Sequence, residues 1–367
     1  MADISFSRVS KRFGAVTAVA ELTLDIRDRE FFVLLGPTGA GKSTLLRCLA
    51  GLEQPESGDI GIAGVRINDW SAAQRDVALV FQQYSLYPNY TVRENLAFPL
   101  KSKLRNLDAQ QIEDRVARAA ATVRITHLLE RRTDKLSGGE MQRVSIGRAI
   151  VREPRVFLMD EPLSNLDAKL RELLRAELKG LQQRLGTTLV FVTHDQVEAM
   201  TMGDRIGVLD KGRLIQVGTP HEIYNAPSNT FVASFVGAPA INLLDVQVDL
   251  GQGMARNGSL AFALSDATRH ALFGCLPPDG RVRLGIRPED VTLVARGGID
   301  GTLYGAENHG AEIIAVIQAG GHLLRATVAA KTPMALNQPV QVSFAQDKLH
   351  FFHPQTGEKL RPSDFHP

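Results

Sequence analysis

Short apolar runs, separated by glycine and polar residues, organise the first two thirds of the chain. Four of them lie at 31–35, 77–81, 155–161 and 187–193. Each is too short for a helix and is rich in Val, Leu or Phe, which favours strands. Because the runs are almost continuously apolar, they predict strands that are buried on both faces of a parallel sheet. Looser alternation over 4–26 predicts antiparallel strands, with a polar loop at 11–14 between them.

Helical spacing appears between these strands. Leucines recur at helical intervals from Ala168 to Leu185, and Gly186 is placed to end that helix. Apolar residues mark one face of a mostly helical stretch at 101–135. The pairs Thr91/Glu94 and Ser137/Glu140 each have the spacing of a capping box that begins a helix. Strands alternating with helices predict an α/β fold.

The pattern changes after a linker-like stretch at 236–242. Short β-like runs separated by turns follow at 282–286, 291–294, 313–317, 323–328 and 340–344. They predict a small all-β barrel domain. We therefore expect an α/β domain over 1–236, with a helical subdomain at about 88–152, and an OB-like all-β domain over 237–367.

Composition narrows the classes of function. The chain of 367 residues is 44% hydrophobic and carries a formal charge of only +2, so nucleic acid is not expected as the main partner. No apolar run approaches the ~18 residues that cross a bilayer, so we expect a cytoplasmic protein that docks on membrane proteins. Its two cysteines, Cys48 and Cys275, do not indicate a disulfide framework.

The first apolar run leads into a glycine-rich loop at 36–43, which precedes a predicted helix. A strand, G-x-x-x-x-G-K-[ST] and a helix together predict a loop that binds phosphate. Its glycines bring backbone N–H groups against phosphate oxygens. Lys42 adds a positive charge at the β/γ-phosphates and Ser43 offers a hydroxyl to Mg²⁺. The alternative is a turn that only caps a helix.

Polar residues end the other three strands. Gln82 follows the second, Asp160 and Glu161 end the third, and His194 follows the fourth. Asp160 suits Mg²⁺, and Glu161 is placed to polarise an attacking water. An isolated glutamine or histidine is more often structural. At the edge where α/β sheets bind ligands, however, the Gln82 carbonyl could reach a metal and His194 the γ-phosphate.

Two further features have both a plain and a functional interpretation. Ser137 and the glycines after it begin a helix, which is either only well capped or a second phosphate receptor. Phe13, beside Gly14, is either a local packing anchor or a platform on which adenine stacks.

These motifs, in this order, resemble the ATP-binding subunit of ABC transporters over residues 1 to about 240. The whole chain is similar to the import-type subfamily that serves maltose, other sugars, polyols and glycerol phosphate. Residues 285–290 and 350–357 resemble parts of the regulatory domain of the sugar-importer ATPases. The resemblance implies nucleotide contacts from Phe13, Gly36, Pro37, Thr38, Gly39, Ala40, Gly41, Lys42, Ser43, Thr44, Gln82, Ser137, Gly138, Gly139, Gln142 and Asp167. It implies Mg²⁺ contacts from Ser43, Gln82 and Asp160, and catalytic roles for Glu161, His194 and Lys42.

The resemblance also implies partners. A head-to-tail dimer, with itself or a close paralogue, would hold two ATP molecules in its interface. Two transmembrane permease subunits would receive it at the cytoplasmic face of the membrane, and an external solute-binding protein and a regulatory protein are further expected partners. The alternatives are the ATPase of a polyamine or metal-ion importer and, outside the class, a soluble ABC ATPase without a transport role.

One position departs from the family pattern. The signature usually reads Leu-Ser-Gly-Gly-Gln, and here its last residue is Glu140. A carboxylate in the first turn favours the helix but partly offsets the positive end that should face the γ-phosphate. We expect Glu140 to point back into its capping box.

Overall fold

The computed structural model describes residues 2–102, 107–164 and 166–361. Contacts divide the chain into two compact units, Met1–His221 and Glu222–Pro367. The domain limits drawn from the sequence, 1–236 and 237–367, stay a prediction. The helices are α1 Lys42–Ala50, α2 Val92–Ala97, α3 Ala109–Thr122, α4 Gly138–Ile150, α5 Ala168–Leu185, α6 Gln196–Met202, α7 Pro220–Asn225, α8 Thr230–Phe235 and α9 Asp266–Leu272. None of these helices, within the described ranges, is long and apolar enough to cross a membrane.

The central sheet of the first unit contains all four strands predicted from the apolar runs. Its strands are β3 Phe31–Leu35, β6 Val77–Val80, β7 Val156–Asp160, β8 Thr188–Thr193, β9 Arg205–Asp210 and β10 Arg213–Gly218. They lie in the order β10-β9-β3-β8-β7-β6, and only β10 runs antiparallel to its neighbour. Every residue of β3, β7 and β8 is buried, as the apolar runs predicted.

A second, antiparallel sheet covers α1. It consists of β1 Ile4–Phe13, β2 Val16–Ile26, β4 Ser57–Ile62 and β5 Val65–Arg66, in the order β2-β1-β4-β5. One hydrophobic core joins both sheets and α1, as the buried side chains of Phe6, Leu45 and Val190 illustrate. The helix is therefore held between the two sheets, and its N-terminus is fixed in place at the end of β3.

Helices α2, α3 and α4 contact one another and form the helical part of this unit. Both predicted capping boxes are confirmed, at Thr91/Glu94 and at Ser137/Glu140. The prediction that 101–135 is mostly helical is confirmed within the described residues, since the stretch holds α3 and two short 3₁₀ helices, Thr126–Leu128 and Thr133–Lys135. Residues 103–106 of the stretch lie outside the described residues. Helix α3 ends at Thr122 because Arg124 takes a left-handed backbone conformation, with φ of 55°.

The second unit is largely β, as predicted. Its strands are β11 Asn242–Asp249, β12 Met254–Asn257, β13 Leu260–Ala263, β14 Arg281–Ile286, β15 Val291–Val294, β16 Ile299–Asn308, β17 Glu312–Ala319, β18 His322–Ala329, β19 Pro339–Phe344 and β20 His350–Phe352. They form two five-stranded sheets, in the orders β13-β12-β11-β14-β20 and β15-β19-β16-β17-β18, rather than the single barrel expected. One core lies between them and includes Val246, Leu284 and Ile317.

Arg287 is buried in the second unit with 2% of its surface exposed. Its guanidinium donates to the carbonyl oxygens of Val236 at 2.5 Å, Tyr224 at 2.7 Å and Ala233 at 3.3 Å. It also lies 3.8 Å from the centre of the Tyr224 ring. The cation therefore joins α7 and α8 to β14, the strand that precedes it in the chain.

We predict that Arg287→Ala destabilises the second unit by about 2–4 kcal/mol, because it leaves buried carbonyl groups without donors. Scanning calorimetry of the full chain measures this change. Arg283→Ala is the matched control, because Arg283 pairs with Asp245 at the surface and an exposed ion pair contributes little. Equal losses in the two variants would contradict the prediction.

Candidate functional site

Adjacent parallel strands place four polar segments at one edge of the central sheet. Strand β3 leads into the loop at 36–43, β6 is followed by Gln82, β7 ends at Asp160, and β8 is followed by His194. Since β3, β8, β7 and β6 are neighbours and parallel, their carboxyl ends coincide. The structure therefore brings these sequence-predicted residues together at the expected edge.

Close backbone contacts fix the shape of the glycine-rich loop. A Cβ on Gly36 would lie 2.3 Å from the carbonyl oxygen of Leu209, and one on Gly41 would lie 2.2 Å from that of Ala18. Gly41 also has a φ of 99°, which disfavours any other residue. These positions therefore need glycine for space and conformation, and the loop is held against β9 and β2.

Lys42 begins α1 and is buried with 5% of its surface exposed. Its Nζ donates to the carbonyl oxygens of Gly36 at 2.8 Å and Pro37 at 2.9 Å. Burial lowers the pKa of this ammonium, and the nearby carboxylates of Glu161 and Asp160 oppose the shift. The ammonium thus lies inside the curve of the loop, and its hydrogen bonds within the described part of the chain go to neutral carbonyl oxygens, where an anion would be a stronger partner.

Ser43 and Asp160 meet across the end of the sheet. The Ser43 hydroxyl donates to Asp160 Oδ1 at 2.8 Å. Burial raises the pKa of Asp160; the hydroxyl lowers it and the Glu161 carboxylate raises it further. A buried carboxylate beside a hydroxyl is a pair of oxygen ligands suited to Mg²⁺.

The described residues contain no group of three or more His, Cys, Asp or Glu side chains that could hold a metal ion.

Glu161 is held by three contacts from different elements. Its Oε2 accepts from Gln82 Nε2 at 3.2 Å, and its Oε1 lies 3.1 Å from His194 Nδ1. Its backbone N–H donates to Val192 O at 3.0 Å. The residue has a φ of 45°, a strained conformation for a side chain of this size. The carboxylate is thus fixed between Gln82 and His194, and half of the His194 side chain is exposed.

The signature segment begins α4 away from this edge. Ser137 is the N-cap, its hydroxyl accepts from Glu140 N at 3.3 Å, and Glu140 Oε2 accepts from Ser137 N at 2.7 Å. The prediction that Glu140 turns back into its capping box is confirmed. Within the described ranges, no hydrogen bond joins residues 136–142 to the loop at 36–44.

Gln142 differs from the other signature residues. It is 1% exposed, and neither its Oε1 nor its Nε2 has a hydrogen-bond partner among the described residues. The predicted contact of Gln142 with a nucleotide would require this amide to become exposed. Ser137, Gly138 and Gly139 are exposed or half-buried, so they reach the surface without rearrangement.

Two other predicted contacts lie at element ends. Phe13 is the last residue of β1, so the predicted polar loop at 11–14 is wrong for 11–13. Strand pairing with β2 extends to Phe13. The Phe13 side chain is 46% exposed, and Lys11 Nζ lies 5.0 Å from the centre of its ring.

Asp167 is the N-cap of α5 and accepts from Leu170 N at 2.9 Å. The segment before it includes Asn165, which lies outside the described residues.

Sequence reasoning missed two arginines, one beside the signature and one at the far end of α4. Arg131 Nη1 lies 3.7 Å from Glu140 Oε1. Arg148, in the last turn of α4, donates to the Ser85 carbonyl at 2.8 Å and lies over the Tyr87 ring. The only signal for Arg131 was a cluster of arginines, which is ordinarily a solvated surface.

The sequence matches two described families. Residues 19–164 match the ABC transporter family, and residues 284–352 match the TOBE domain. The two matches fall in different units of the structure.

Full-length relatives and a solved structure are also similar. The chain is 46% identical to the trehalose/maltose import ATP-binding protein of Thermococcus litoralis, covering 98% of this chain and all of that protein. It is 45% identical to the sn-glycerol-3-phosphate import ATP-binding protein of Rhizobium meliloti, covering 96% and 98%. A dimeric ATP-binding cassette in a post-hydrolysis state, bound to ADP and Pi, is 30% identical with a TM-score of 0.55, covering 59% of this chain and 98% of that one.

We predict that Glu140→Gln changes the ATPase rate by less than about threefold, because the carboxylate is already satisfied within its capping box. Steady-state phosphate release at saturating ATP measures the rate. Glu130→Gln serves as a control of equal charge change on a surface ion pair. A gain of about a hundredfold (~2.7 kcal/mol) would show that the Glu140 charge suppresses the site.

Proposed function

The chain belongs to the ABC transporter family, and we propose that it is the ATP-hydrolysing subunit of an importer for a carbohydrate-class solute. A sugar, a polyol or glycerol phosphate is the proposed cargo. The observation that carries the enzymatic part is the grouping of Lys42, Asp160 and Glu161 at one edge of the sheet. The relatives named above, which import trehalose, maltose and glycerol phosphate, support the cargo class.

ATP binding is assigned to the loop and its surroundings. The triphosphate would replace the two carbonyl groups as the hydrogen-bond acceptor of the Lys42 ammonium. Backbone N–H groups of the loop would donate to its other phosphate oxygens. Phe13, exposed at the end of β1, would carry the adenine. Each of these roles follows the family resemblance and the position of the residue.

Glu161 is assigned as the general base. Its carboxylate would accept a proton from the water that attacks the γ-phosphate. Gln82 contacts one oxygen of this carboxylate and His194 contacts the other. The two contacts would fix the orientation of the carboxylate before the nucleotide binds. His194, half-exposed, would then turn to the γ-phosphate.

Ser43, Asp160 and Gln82 are the residues that would hold Mg²⁺. The pair Ser43–Asp160 fits a hard cation, because both groups offer oxygen and the carboxylate is buried. When bound, the ion supplies positive charge to the phosphate oxygens.

This arrangement supports a function that needs two copies of the chain. Within one chain the signature helix contacts α2 and α3, while the nucleotide loop lies on the central sheet. A head-to-tail pair of copies, or a pair with a close paralogue, would place the signature of each against the triphosphate of the other. Two permease subunits would then receive the pair at the cytoplasmic face of the membrane. An external solute-binding protein and a regulator of the second unit complete the proposed assembly.

We predict that Glu161→Gln lowers ATP turnover by about 10²–10⁴-fold while ATP binding persists, because only proton acceptance is lost. The variant should accumulate as an ATP-bound dimer, which sedimentation velocity with and without ATP measures. The control Glu172→Gln changes an exposed glutamate on α5 and should behave as wild type. Turnover at the wild-type rate by Glu161→Gln would exclude its assignment as the base.

The cargo class has a separate test. We predict that the solute-binding protein recovered with the assembled transporter binds a sugar, polyol or glycerol phosphate, because full-length relatives carry those names. Calorimetric titration with these solutes, with polyamines and with divalent metal ions measures the preference. Binding of only a polyamine or a metal ion would replace the proposed cargo with the alternative one, and the absence of any membrane partner would favour a soluble ABC ATPase.

A further inference from the structure

The charge of Glu140 lies at the start of α4, on the surface that the proposed dimer turns toward a triphosphate. The bond from the Ser137 backbone lowers the pKa of this carboxyl, with smaller contributions from Arg131 and Arg143. Glu140 is therefore a full negative charge at neutral pH. An uncompensated charge there would oppose both the helix N-terminus and an approaching phosphate.

The two oxygens of Glu140 have different partners. Oε2 accepts from Ser137 N, and Oε1 faces Arg131 Nη1 at 3.7 Å. The Glu140 side chain is 20% exposed and that of Arg131 is 49% exposed. The first contact anchors the carboxylate in the capping box, and the second places a cation beside the oxygen that would otherwise face water.

The backbone of Arg131 is itself fixed. Its N–H donates to Leu128 O at 2.8 Å, and its carbonyl oxygen accepts from Val92 N at 2.9 Å, at the start of α2. The preceding residues are held similarly, since Arg93 N donates to Leu129 O at 2.9 Å. The guanidinium thus extends from a segment bound to a neighbouring helix and not from a loose loop.

We propose that Arg131 is a positioning residue that neutralises Glu140 and so lets a signature ending in glutamate face the γ-phosphate of the opposing copy. This inference rests on the proposed function. It explains how the departure from glutamine is tolerated: the carboxylate keeps the capping bond, and its charge is cancelled by a second element. A half-exposed ion pair adds little to the stability of the fold. The proposed role of Arg131 is therefore to change the electrostatic potential that the approaching phosphate meets.

The test uses the full chain carrying Glu161→Gln, in which ATP-bound dimers accumulate. Arg131→Ala, Glu140→Gln and the double variant are added, and sedimentation velocity gives the ATP concentration for half-maximal dimer. At low salt we expect Arg131→Ala to raise that concentration about three- to tenfold. In the presence of Glu140→Gln, the same change should have an effect of less than about twofold.

Salt and control variants separate an electrostatic role from a structural one. The effect of Arg131→Ala should shrink several-fold near 0.5 M salt, where exposed charges are screened. Arg131→Lys should retain most of the affinity. Arg132→Ala removes the same charge one residue away, where the side chain pairs with Asp134 and Asn89, and its effect should not depend on Glu140.

Three outcomes would overturn the inference. The first is an Arg131→Ala effect that is equally large with and without the Glu140→Gln change, and the second is an effect that salt leaves unchanged. The third is the absence of any effect at low salt while the parent dimer forms normally. If neither the parent nor the Glu140→Gln variant forms an ATP-dependent dimer, the proposed function itself fails.

Discussion

Buried charged groups lie together at the carboxyl edge of one parallel sheet, and the proposed chemistry depends on them. Lys42 and Asp160 are each 5% exposed, and burial shifts their pKa values in opposite directions, each toward the neutral form. Charged groups are costly in such a place unless opposite charges compensate them. Here the lysine is held by two carbonyl groups and the aspartate by a hydroxyl. The lysine and the carboxylates of Asp160 and Glu161 compensate one another only in part, because burial still outweighs their attraction in both pKa shifts. A triphosphate with a divalent cation would bring closer opposite charges to both groups, so the cost of burying them would favour binding.

Strand pairing explains why the residues at the sheet edge lie together, but it does not explain the position of the signature. Every residue at that edge follows a strand whose neighbours are fixed by parallel pairing, so strand order alone brings them together. Helix α4 contacts α2 and α3 instead. Within the described residues, its N-terminus is not hydrogen-bonded to the glycine-rich loop. Ser137 caps this helix start by accepting from Glu140 N, and the two glycines after it are half-buried. In the proposed head-to-tail pair, the backbone N–H groups of this first turn would face the nucleotide of the second copy.

The elements that sequence analysis located correctly are those governed by local rules. The four buried strands, the helix ended by Gly186 and the two capping boxes depend on neighbouring residues, and the structure has them where expected. The candidate residues at the sheet edge followed from strand ends. What sequence analysis did not find depends on distant contacts: the arrangement of the second unit's strands in two sheets, and the pairing of Arg131 with Glu140. Nothing in local spacing signals a side chain nine positions away on another element.

The segment after Gln82 connects the two parts of the first unit. Gln82 donates to Glu161 at the sheet edge, while the carbonyl of Ser85 accepts from Arg148 on α4. At the other end of α4, a Cβ on Gly138 would lie 3.0 Å from the Tyr84 hydroxyl, so this segment follows the helix closely. The same short segment thus has one hydrogen bond to the proposed base and another to the helix that begins with the signature. A backbone movement of this segment would change both contacts, so it would link the sheet edge to the helix that would face the other copy's nucleotide.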